Sequence, residues 1–131
     1  HDIVGFGKAA EIALRDAKKN EQHLIELDKL LVAGLGNVPE ISLTNPSEKR
    51  MPGIVSILVN KRDFNNERFT KKVSDELALS TGSACSAGEP SYVIKAIGLE
   101  KQVSKVIRIT INKYTTEKDI QVLLSVLKEN I

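Results

Sequence analysis

The sequence predicts an α+β fold: a long N-terminal helix followed by a small, mainly antiparallel sheet with helices packed on one face. Three patterns predict it. Apolar residues recur at helical spacing over the first third, β-branched runs follow in the middle, and the chain closes on a capped amphipathic segment.

Phe6, Ala10, Ala13, Leu14, Ala17, Leu24, Leu27 and Leu31 fall at helical spacing, interrupted only by the polar stretch Lys18 to Gln22. This predicts one long helix, or two end to end, with Gly34 and Gly36 as C-terminal stops. At about 30 residues and about 45 Å, such a helix exceeds what a small domain covers, so its N-terminal half is expected to lean on a missing partner. The chain opens on His1 and runs straight into this pattern, which reads as a piece cut from something longer.

The period then changes. Ile41-Ser42-Leu43 is a short strand candidate, Asn45 to Arg50 a polar turn, and Gly53 to Val59 a β-branched strand. Asn65 or Asn66 caps a helix whose inward face is Phe69, Val73 and Leu77. Leu79 is a very short strand. Pro90 suits the first turn of a helix from Ser91 to Gly98, with Val93, Ile94 and Ile97 inward. Val106 to Ile111 alternates, placing Ile107, Ile109 and Ile111 on one side and Arg108 and Thr110 on the other. Thr116 and Asp119 form a capping box ahead of Ile120, Leu123, Leu124 and Leu127. Residues 1–131 are thus read as one domain.

Composition excludes several functions. A net charge of +2 with basic residues spread along the chain, no Trp and only five other aromatics gives little support to direct nucleic-acid binding. No apolar run reaches the roughly 18 residues that cross a membrane, so a cytoplasmic setting is expected. One cysteine forms no internal disulfide, and His1 and His23 lack zinc-site spacing, so no metal is expected. His23, in the polar stretch of the long helix, reads as solvent-facing.

That cysteine, Cys85, lies in Ser80-Thr81-Gly82-Ser83-Ala84-Cys85-Ser86-Ala87-Gly88, among small turn-forming residues instead of the Leu, Ile or Val that surround a core thiol. A reactive thiolate and an inert thiol both remain open on this pattern. Ser83 and Ser86 either hydrogen-bond a thiolate or simply favour turns. Arg108, among the polar positions of its strand, is either a surface residue paired with a carboxylate or a planar fork for an anion.

The cysteine segment, Pro90-Ser91-Tyr92-Val93 through Ala96-Ile97-Gly98-Leu99, Ile107-Arg108-Ile109-Thr110 and Tyr114-Thr115-Thr116-Glu117 together resemble the C-terminal third of the NifS/IscS-like cysteine desulfurases, enzymes of the class V aminotransferase fold that use pyridoxal phosphate. Gly5-Phe6-Gly7-Lys8-Ala9-Ala10 resembles the helix that leaves their large domain. The resemblance implies that residues 1–131 are the C-terminal small domain, with residues 1–20 part of a helix bridging to a missing N-terminal cofactor domain. It also implies conversion of L-cysteine to L-alanine, with Cys85 as the mobile-loop nucleophile that becomes a persulfide and hands sulfur to an acceptor protein. Arg108 matches the residue that grips the substrate carboxylate. Lys8, Lys61 and Lys71 match no cofactor lysine, so pyridoxal phosphate is expected to be held by the missing domain, the fragment to be inactive alone, and the full-length protein to be a homodimer. One departure is Asn112-Lys113, where many relatives carry Gly-Arg. A non-catalytic sulfur-relay or protein-interaction module is the alternative.

Overall fold

The polar stretch Lys18 to Gln22 does not break the first helix. In the computed structural model, which describes residues 1–45, 50–81 and 91–131, α1 runs unbroken from Asp2 to Leu35. Lys, Glu and Gln are good helix formers, so this stretch changes the polarity of the helix without ending it. The other elements are β1 (Ile41–Leu43), β2 (Ile54–Val59), α2 (Asn66–Lys72), α3 (Tyr92–Ala96), a 3-10 helix (Glu100–Lys105), β3 (Val106–Thr110) and α4 (Glu117–Asn130). Cys85, Pro90 and most of the turn expected at 45–50 lie outside the described residues.

β1, β2 and β3 pair in that order, antiparallel throughout. Ile57 faces Leu43 on one side and Ile107 on the other, and Val55 faces Ile109. Val55, Ile57, Val59, Ile107 and Ile109 therefore share one side of the sheet and are all buried. Leu27, Leu31 and Leu35 of α1 and Ile120, Leu123, Val126 and Leu127 of α4 complete the core with them. The helix faces repeat every three or four residues, as the alternating strands repeat every two.

Several details differ from expectation. Gly34 is not a helix stop: it lies inside α1, and a Cβ there would run into the side chain of Leu124 on α4. Its function is the close approach of the two helices, while Gly36 caps α1 with ordinary helical dihedrals. α2 ends at Lys72, so Leu77 falls in the turns that follow; the Ser74 hydroxyl donates to the Lys71 carbonyl at 2.9 Å and competes with helix continuation. α3 does not bury the face expected of it, because Val93 and Ile97 are exposed and Ile94 is only half-buried. Five residues make too short a helix for an apolar stripe to dictate its docking. Its predicted stop does hold, with Gly98 at φ +79.

The caps follow the sequence closely. Asn65 Oδ1 accepts from the Arg68 N–H, and the neighbouring Asn66 is buried, donating from Nδ2 to the Val103 and Val106 carbonyls at 3.0 and 2.8 Å. One asparagine starts α2 and the next ties it to the segment entering β3. The Thr116–Asp119 capping box opens α4. Its Thr116 N–H and hydroxyl donate to Asp119, in that order of importance, and hold the Asp119 carboxyl below its ordinary value.

The first helix has two unlike halves. At 1.5 Å per residue its 34 residues extend about 51 Å. Ile3, Val4, Phe6 and Leu14 are exposed, and burial starts only near Leu24. His23 departs from its solvent-facing reading: it is half-buried, and its Nε2–H donates to the Thr115 carbonyl at 2.9 Å. A carbonyl only accepts, so this bond fixes the proton on Nε2.

Candidate functional site

Alternation along β3 decides where Arg108 points. Ile107 and Ile109 enter the core, so Arg108 between them projects from the opposite side and is exposed. Its backbone faces away from β2. The Arg108 N–H donates to the Ser80 carbonyl at 2.9 Å, and the Ser80 N–H donates back to the Arg108 carbonyl at 3.4 Å. In place of the very short strand expected at Leu79, the described residues show one isolated bridge, at the neighbouring Ser80.

Register places further hydroxyls beside the arginine. Ser56 is directly opposite Arg108 on β2, in a pair whose backbone bonds point elsewhere, the arrangement that brings facing side chains closest. Thr44, just past β1, continues the row, with its N–H and hydroxyl both donating to the Ser56 carbonyl. Across the outer side of the sheet the order is therefore Thr44, Ser56, Arg108, Ser80. The Arg108 Nη2 donates to Ser80 Oγ at 3.2 Å. Among the described residues no carboxylate lies within ion-pair distance of Arg108. The surface-pair alternative thus finds no partner there. A guanidinium flanked by neutral hydroxyls keeps its charge available to a planar anion such as a carboxylate.

Sequence reasoning missed Ser56 and Ser80. The available signal was the polar Ser56 interrupting the β-branched run Ile54 to Val59, on the face opposite Val55 and Ile57. Cys85 lies outside the described residues, so of the two expected site residues the structure places Arg108, beside Ser56 and bonded to Ser80, the first residue of the cysteine segment.

The Asn112-Lys113 departure has a local explanation. Asn112 Oδ1 accepts from the Tyr114 N–H at 2.8 Å, and the Asn112 N–H donates to Thr115 Oγ1 at 3.0 Å, so a side-chain turn does what a glycine would do by conformational freedom. No non-glycine residue among those described has positive φ. Lys113 Nζ sits 5.0 Å from the centre of the Tyr114 ring, and its charge helps Arg15 hold the Asp16 carboxyl below its ordinary value. The charge is directed toward α1.

Buried Asp28 forms an ion pair with half-buried Arg50. Arg50 Nη1 donates to Asp28 Oδ1 at 2.7 Å and Nη2 to Oδ2, while the Gly53 N–H donates to Oδ1 at 2.9 Å. Gly53 has φ +86, open to glycine and strained for other residues. The pair fastens the entrance of β2 to α1, and each charge is taken up by the other. The groove of about 450 Å³ lined by His23, Glu26, Leu27, Lys29, Leu30 and Glu117 includes none of the expected site residues. Among the described residues no cluster of His, Cys, Asp and Glu could hold a metal ion, and no helix is long and apolar enough to cross a membrane.

The described residues do not fit pyridoxal phosphate. An imine-forming lysine needs a pocket that lowers its charge, yet every described lysine except Lys105 is exposed. Lys105 is half-buried with Nζ donating to the Lys61 carbonyl at 2.7 Å.

A family model, aminotransferase class-V, matches residues 1–123. The chain belongs to the class-V aminotransferase family. Among curated relatives, the cysteine desulfurase IscS of Ruthia magnifica subsp. Calyptogena magnifica is 34% identical over 134 residues, covering 100% of this chain and 32% of that protein. The cysteine desulfurase IscS of Methylococcus capsulatus is 33% identical over 134 residues, with the same coverage of 100% and 32%. This class-V chain therefore spans about a third of the length of the curated relatives it matches. Its fold is similar to the NifS-like protein from Rickettsia africae ESF-5, at TM-score 0.83 and 20% identity over 97% of this chain and 33% of that one. A second solved NifS-like protein gives TM-score 0.79 and 26% identity over 97% and 32%. The α+β architecture expected from the sequence is that of the class-V neighbours.

Proposed function

We propose that this chain is the C-terminal small domain of a cysteine desulfurase that converts L-cysteine to L-alanine. The observation that carries the reading is Arg108: an exposed guanidinium between Ser56 and Ser80, with no carboxylate partner among the described residues, at the position that the family resemblance assigns to the substrate carboxylate. The relatives named cysteine desulfurase IscS support the reaction class.

In this reading Cys85 is the nucleophile. L-cysteine and the Cys85 thiol give L-alanine and a Cys85 persulfide: the substrate carbon–sulfur bond breaks, a sulfur–sulfur bond forms, and the hydrogens balance without an added oxidant. The reactive form is the thiolate, whose ordinary pKa is about 8.5. Cys85 lies five residues after Ser80 in the chain, a covalent reach of at most about 18 Å. Since Ser80 is bonded to Arg108, the covalent chain sets an upper limit on how far the nucleophile lies from the carboxylate anchor.

Pyridoxal phosphate belongs in this account to a part of the protein outside this chain, consistent with the exposed lysines described above. Residues 1–20 form the helix that bridges to that part, supported by the exposed Ile3, Val4, Phe6 and Leu14. The 131-residue chain alone is then inactive, and the full-length protein acts as a homodimer in the cytoplasm, passing its sulfur to an acceptor protein, with iron–sulfur cluster assembly as one outlet.

Peptide mass mapping of the full-length protein after brief incubation with pyridoxal phosphate and L-cysteine tests this reading. The expected result is one extra reductant-labile sulfur on the Cys85 peptide, accompanied by alanine and absent from Cys85→Ser. An unmodified Cys85 peptide in protein that holds the cofactor would instead favour an interaction or relay module.

A further inference from the structure

An arginine on an exposed strand has many rotamers, and binding a carboxylate through a planar fork requires one of them. Something must select it. The described surroundings of Arg108 offer one direct side-chain contact, Ser80 Oγ, which accepts from Nη2 at 3.2 Å. Ser80 is itself fixed to the backbone of the same arginine by two hydrogen bonds. Its oxygen is therefore registered to β3.

We propose that Ser80 is a positioning residue for Arg108, setting the guanidinium orientation that receives the substrate carboxylate; this rests on the reading of Arg108 as the carboxylate anchor. The chemistry suits the task. A hydroxyl oxygen takes one of the five guanidinium N–H groups and leaves enough for a bidentate carboxylate. A carboxylate at the same place would also orient the arginine, but it would neutralise the charge that the substrate needs. Ser56, opposite Arg108 on β2, completes a neutral flank on the other side. The bridge has a second consequence: Ser80 is also the first residue of the cysteine segment, so the orientation of the anchor and the origin of the nucleophile's tether share one residue.

The test compares Ser80→Ala, Ser80→Thr and Arg108→Ala in the full-length protein with its cofactor. Loss of one hydrogen bond at an exposed guanidinium predicts that Ser80→Ala raises KM for L-cysteine by about threefold to tenfold, the ordinary net effect of one hydrogen bond, with kcat within about twofold of the parent. Ser80→Thr, which keeps the oxygen, restores KM, and the unfolding midpoint stays unchanged in both. An unchanged KM in Ser80→Ala beside a raised KM in Arg108→Ala would overturn the positioning inference and leave the anchor reading standing. An unchanged KM in Arg108→Ala would remove the anchor reading and this inference with it. A fall in kcat and unfolding midpoint together, without rescue by threonine, would make Ser80 merely structural and would also overturn the proposal.

Discussion

The two sides of the three-stranded sheet use the same strands for different ends. On the inner side Val55, Ile57, Ile107 and Ile109 are sealed under α1 and α4; on the outer side Ser56, Arg108 and Ser80 form a polar row. Neighbours one residue apart on β3 therefore answer to different constraints. Ile107 is fully buried, whereas Arg108 is exposed and touches a hydroxyl. The difference teaches that the rigid inner side makes the outer side exact: a one-residue slip of β3 would put Arg108 in the core and Ile107 at the site. Stability and chemistry should accordingly separate by residue parity.

The largest expected effect lies on the inner side. Ile107→Ala should destabilise the protein by about 4 kcal/mol through lost burial and the cavity left behind, read as a lower midpoint in denaturant unfolding. A loss below about 1 kcal/mol would mean that the inner side is not the rigid support described. Next comes the pair that fastens β2 to α1. Asp28→Ala leaves Arg50 without its carboxylate and the Gly53 N–H without its acceptor, a cost of about 3 kcal/mol in the same assay.

Smaller effects belong to the α4 cap. Thr116→Ala removes the side-chain acceptor of the capping box and should cost about 1 kcal/mol. The pH dependence has a definite sign. Asp119 is held below its ordinary carboxyl value in the folded state by the Thr116 N–H and hydroxyl, so its contribution is complete above the unfolded value of about 3.9 and is lost as pH falls through the lower folded value. The stability gap between the parent and Asp119→Asn should stay constant above that range and close below it, as followed by unfolding midpoints across an acid series.

Periodicity made the inner side legible in the sequence. The alternation Ile107, Ile109, Ile111 and the spacing Leu27, Leu31 announce burial because each pattern presents one face. The Thr116–Asp119 box was legible for a similar reason: all its atoms lie within one turn of chain. What escaped was non-local. Gly34 looks like a stop until Leu124 is seen against it, and Asp28 and Arg50 look like ordinary surface charges until the β1–β2 connection brings them together. Ser56 and Ser80 are 24 residues apart and become neighbours of Arg108 only through register. The outward, exposed place of Arg108 was legible from the alternation of its strand, but its hydroxyl flank was not. The exposed face of α3 has the opposite cause, since Val93 and Ile97 carry a helical pattern on a helix too short to use it.

The most direct test of the division between the two sides is Arg108→Ala in the full-length protein, with KM for L-cysteine and the unfolding midpoint measured on one preparation. The account predicts a KM raised by more than about tenfold, from loss of a bidentate charged contact, with stability within about 0.5 kcal/mol of the parent. An unchanged KM, or a loss of stability like that expected for Ile107→Ala, would contradict it.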